Sequence, residues 1–120
     1  KAIGDMCFTE LTLPVSRDGN SLDSLLTLAF SQIAVNEYSA AASALVEARL
    51  MIEDGLRVPA ADEESRYRHA LLRRHLYEVD WLEAISLMKQ GRDRKARRLL
   101  NSIADSQSPY SEKAREILIR

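Results

Sequence analysis

Cys7 is the only cysteine in the chain, which excludes an internal disulfide and any multi-cysteine metal site and leaves the compartment open. Proline and glycine are scarce, three and four residues, so few points force a break in regular structure. There is one tryptophan and there are two histidines. No run of about eighteen uncharged apolar residues occurs, so nothing in the sequence reads as a membrane span. A glycine-rich phosphate loop is missing. Ser21, Ser24, Ser31, Ser39 and Ser43 lie in no strand-turn-helix elbow, and Cys7 has no histidine near it in sequence.

What is present is a core's worth of apolar side chains, 46% of 120 residues, enough for one small domain. The chain starts at Lys1 without a basic-then-apolar leader, and so is expected to be a processed or excised piece of a longer protein, any anchor lying outside it. Charge is unevenly spread. Residues 1–56 carry three basic and eight acidic side chains, a net of −5, and residues 57–120 carry fourteen basic and ten acidic, a net of +4. That asymmetry permits electrostatic steering but is well short of the basic excess that non-specific nucleic-acid binding needs.

Residues 1–20 contain threonines, Pro14 and the turn cluster Asp18-Gly19-Asn20, and read as an extended lead-in. From residue 21 to 120 the periodicity is helical. Asn20 or Ser21 can cap a first helix whose apolar stripe is Leu22, Leu25, Leu26, Ala29, Phe30 and Ile33. After Asn36, Ala41, Leu45, Ala48 and Ile52 mark a second helix, which Gly55 is placed to close in a left-handed conformation. The loop LRVPAADEES follows, with Asp62, Glu63 and Glu64 at the positive end of a new helix. Neither glycine nor proline occurs between Asp62 and Gln90, which predicts one long helix of about 28 residues, ended by Gly91. Arg92 to Ala104 forms a fourth helix with Ala96, Leu99, Leu100 and Ile103 inward. Ser108 caps a fifth, with Pro109 in its first position and Tyr110, Ala114, Ile117 and Leu118 as its stripe.

Shifting the chain by 55 positions places Leu26 on Trp81, Ala29 on Ala84, Phe30 on Ile85, Ile33 on Met88, Asn36 on Gly91, Ala41 on Ala96, Leu45 on Leu100 and Ala48 on Ile103. Small residues recur on both sides of the turn, where two antiparallel helices come closest. The pattern resembles the tetratricopeptide repeat (TPR). Leu25, Leu28, Ala29, Tyr38, Ala41, Leu45 and Ala48 match the signature positions of one unit; Ala84, Leu87, Gly91, Ala96 and Leu100 match those of a second. Trp81 is one position displaced from the family's aromatic and Pro109 follows a residue late. The spacing also exceeds the family's usual length of about 34, because the loop and the first half of the long helix are inserted. More closely, the lead-in and first hairpin, followed by WLEAISLMKQGRDRKARRLLNSIADSQSPYSEKAREIL, are similar to the extracytoplasmic part of single-spanning TPR proteins of the Bacteroidetes.

The resemblance implies an all-α fold of about five helices, antiparallel hairpins stacked into a short right-handed solenoid. It implies a non-catalytic scaffold for a protein or peptide partner, without a cofactor. It also implies a place in the periplasm, tethered by a membrane helix outside this chain, with a cytoplasmic setting as the alternative.

Candidate contacts follow. Arg66 and Arg73 lie nearly above one another on the long helix, with Tyr77 a turn on and Glu78 beside it, a face suited to an acidic or carboxylate-bearing segment and equally readable as solvated. Tyr77 and Trp81, with Phe30, can line a groove or pack between repeats; Asp23 in the first helix joins them as a candidate. His69 and His75, about 240 degrees apart on a helix, cannot chelate together and read as surface or boundary residues; Glu78, three from His75, is within its reach. Asp80 and Glu83 on one face read as solvated acids, so neither metal binding nor acid–base catalysis is expected. Two other functions remain. Arg92–Ile103 is a conceivable DNA-recognition helix, although Arg97 stands where such a helix needs a buried apolar residue, and the chain is expected to bind no nucleic acid. A short solenoid also leaves its end faces uncovered, which allows a purely structural or homodimerising module.

Overall fold

The structure is a computed structural model that describes residues 21–119. Residues 1–20, and with them the lead-in, Cys7 and the capping role of Asn20, lie outside the described residues. Five helices follow in order: α1 (Ser21–Ala34), α2 (Tyr38–Arg57), α3 (Glu63–Lys89), α4 (Asp93–Ala104) and α5 (Ser111–Leu118). No strand occurs among the described residues. Each helix packs on the next as an antiparallel neighbour, and α1 also touches α3.

The apolar stripes are the core. Leu26, Ala29 and Ile33 of α1, Ala41, Ala48 and Ile52 of α2, and Ala84, Ile85 and Met88 of α3 are almost wholly buried, as are Ala96 and Leu100 of α4 and Ala114 and Ile117 of α5. Two of the turns between helices match in their backbone. Asn36 and Gly91 are the residues with positive φ among those described, at 64° and 74°. Around each, the chain ends its helix in the same way. Asn36 N–H donates to Ile33 O and Glu37 N–H to Gln32 O; 55 positions on, Gly91 N–H donates to Met88 O and Arg92 N–H to Leu87 O. This is a Schellman turn, in which the left-handed residue lets two late amides satisfy the last carbonyls. The next residues also coincide, Glu37 at φ −90°, ψ 67° and Arg92 at φ −87°, ψ 66°.

The single long helix is present: α3 runs 27 residues from its cap Asp62, whose carboxylate accepts from Ser65 N–H at 2.8 Å. Three details differ from the sequence reading. Gly55 does not close α2. It lies inside the helix, where an added Cβ would sit 2.6 Å from Leu72 Cδ1, so glycine serves the close approach of α2 and α3. The helix stops at Arg57 because Pro59 drives Val58 into extended conformation, ψ 128°. And α5 begins at Ser111, with Ser108 Oγ accepting from Tyr110 N–H at 3.0 Å to hold the turn before it.

Basic side chains from neighbouring helices finish helix ends that lack their own. Neither α1 nor α4 has a cation in its last turn. Lys89 of α3 donates to Ile33 O at 3.0 Å, and Arg115 of α5 to Ala104 O at 3.0 Å. Each places positive charge at the negative end of a helix dipole, worth about 0.3–1 kcal/mol at a surface and more when partly buried.

Candidate functional site

Of the seven residues singled out in sequence, Arg66 and Arg73 stand exposed on α3, and Phe30 and Tyr77 lie half-buried against the core. Asp23, Glu78 and Trp81 are inside, 3%, 5% and 2% exposed. Trp81 stacks on Tyr110 with ring centroids 5.2 Å apart and planes 3° from parallel, joining α3 to the start of α5. The seven therefore form no common surface.

His69 and His75 correct the sequence reading: both are buried, at 7% and 5% exposure. His75 lies between two carboxylates, with Asp23 Oδ1 3.7 Å from Nε2 and Glu78 Oε1 3.3 Å from Nδ1. The three side chains link α1 to α3 inside the protein. Protonated, the ring gives both acids a counter-charge; neutral, it donates from one nitrogen only. Burial, and then the Glu78 carboxylate, push the Tyr110 phenol up to about 12, with Arg74 opposing. The Asp62 carboxyl is held low by the hydrogen bonds from Ser65. No group of three or more metal-ligating side chains gathers among the described residues.

Asp80 and Glu83 are not merely solvated. Arg49 of α2 donates to Asp80 Oδ1 at 2.8 Å and to Glu83 Oε1 at 3.3 Å, bridging α2 and α3. The three are part-exposed, so the bridge is worth at most about 1 kcal/mol. Arg97, in the basic stretch, donates to Leu118 O at the end of α5.

Beside that bridge lies a concavity. A groove of about 540 Å³ runs between α2, the last turns of α3 and the first turn of α4. Ala42, Leu45, Val46 and Leu87 line it with apolar surface. Arg92 and Lys95 stand at one end with Tyr38 and Gln90, Arg49 and Glu83 at the other. Its volume is in the range of ligand pockets, roughly 300–1,000 Å³. Val46 is 59% exposed, and Leu50, a turn further along α2, is 55% exposed.

The sequence reading passed over this groove because its residues lie off the periodic stripes and come from three helices. One signal was present. Ala42, Val46 and Leu50 form a second apolar row on α2, while the positions 55 further on are Arg97, Asn101 and Asp105. The row thus belongs to one hairpin and not to the hairpin pattern. Comparison with protein-family models, curated proteins and solved structures finds no match to this chain.

Proposed function

We propose that the chain is a short TPR-like right-handed solenoid, a non-catalytic scaffold that binds a segment of another protein in the groove between α2, α3 and α4. The observation that carries this is the open groove with an exposed apolar row on α2, Val46 at 59% and Leu50 at 55% exposure, flanked by charges. Exposed apolar surface of that kind, rimmed by polar groups, marks interaction sites. The paired hairpins with identical Schellman turns at Asn36 and Gly91 support the repeat reading. In support of a binding role, Asp80 and Glu83 are engaged by Arg49 beside the groove, and Asp23, His75 and Glu78 gather inside the protein, away from it.

The resemblance to extracytoplasmic TPR proteins adds a periplasmic setting with an anchor outside the chain. Among the described residues no helix is long and apolar enough to cross a membrane.

A photo-cross-linking side chain placed at Val46, in an extract of the source cells, is the test. One discrete protein adduct is expected there, and none with the probe at exposed Tyr67 on α3. Adducts at Tyr67 but not at Val46, or turnover of a small substrate with no adduct at all, would overturn the proposal.

A further inference from the structure

We infer that the groove takes an extended protein segment of about five residues that presents a carboxylate to Arg92 and Lys95 and lays an aliphatic side chain over Val46 and Leu87. This rests on the protein-binding proposal and names the chemistry of what is bound.

Length comes first. The groove follows α2 from Tyr38 to Arg49, eleven positions. At about 1.5 Å per helical residue that is about 16 Å, the reach of about five extended residues at about 3.3 Å each.

Charge sets the direction. Arg92 and Lys95 form no ion pair among the described residues and are exposed. At the other end Arg49 is already held by both Asp80 and Glu83, which leaves that end with one net negative charge. The groove is thus positive at the α4 end, negative at the Arg49 end and apolar between. A segment with its acid at Arg92 and Lys95 is attracted there and keeps that charge away from the negative end; the reverse orientation sets acid against acid.

The placement of the cations is itself costly. Arg92, Arg94 and Lys95 crowd the N-terminal end of α4, the positive end of its dipole, with Asp93 as the only acid in the first turn. The corresponding cap of the first hairpin, in the same backbone conformation, is Glu37. Equal backbone and opposite charge mean that the fold does not ask for cations there. A local rule broken with no gain in the free chain points to a function met on binding. Nucleic acid suits the groove less well. Its floor is aliphatic, with Tyr38 the single aromatic ring in its lining and no succession of rings on which bases could stack, and the Glu83 end repels a continuing line of phosphates.

The test uses fluorescence anisotropy on the intact chain with three labelled probes: a short peptide of aspartate, glutamate and leucine, the same peptide with lysine for each acid, and a short DNA duplex. Binding of the acidic peptide is expected, weakening as salt rises. It should fall by about tenfold or more in Arg92→Glu/Lys95→Glu and, separately, in Val46→Asp. The double reversal puts acids at a helix N-terminus, which the dipole favours, so folding is retained and circular dichroism verifies it. Equal binding of acidic and basic peptides, or acidic binding unaffected by the double reversal, overturns this inference and leaves the protein-binding proposal standing. Preference for the duplex overturns both. So does the failure of these peptides together with no enrichment of any sequence from a displayed random-peptide library.

Discussion

Asn36 and Gly91, 55 positions apart, occupy the same left-handed place in two Schellman turns, at φ 64° and 74°. One is an asparagine and the other a glycine, the two residue types that enter this region at least cost.

Replacement at Gly91 should follow that rule. No atom lies within 4 Å of an added Cβ, so the cost is backbone strain alone. Gly91→Ala should lose about 1–2 kcal/mol, and Gly91→Asn clearly less. Urea unfolding midpoints of the two variants decide it.

Removing the borrowed helix caps should cost a little at each end. Arg115→Met takes the donor from Ala104 O and should lose about 1 kcal/mol in the same unfolding assay.

The buried polar cluster predicts a larger and non-additive loss. His75→Leu leaves Asp23 and Glu78 inside without the ring between them and should cost about 3–5 kcal/mol. Adding Glu78→Leu should recover part of it, because one of the two buried acids goes. A double-mutant cycle on unfolding free energies measures the coupling.

Tyr110 makes alkaline stability its own reporter. Its phenol is held neutral in the fold, raised from 10.0 to about 12. The stability this gives is complete below pH 10, where free tyrosine is also neutral, and is lost as pH rises through about 12. Tyr110→Phe keeps the stack on Trp81 and should lack that increment of loss when unfolding is compared across the same pH range.

Most of the helices were legible because burial repeats every three to four residues, and the shift of 55 matched the two turns before any backbone was known. Gly55 was misplaced because its reason for being glycine is a contact with Leu72, 17 positions away. His75 was misread for the same cause: Asp23 comes to it from another helix, which the spacing along one helix does not reveal. The groove was the least legible, since Val46, Leu87 and Lys95 are unremarkable until three helices bring them together.

The central claim is the place of binding, and backbone amide shifts in NMR test it most directly. On titration with the acidic leucine-bearing peptide, shifts at Tyr38, Ser39, Val46, Gln90, Arg92 and Lys95 are predicted, with Arg66 and Arg73 unmoved. Shifts that gather around Arg66 and Arg73, or that spread evenly over all five helices, would contradict it.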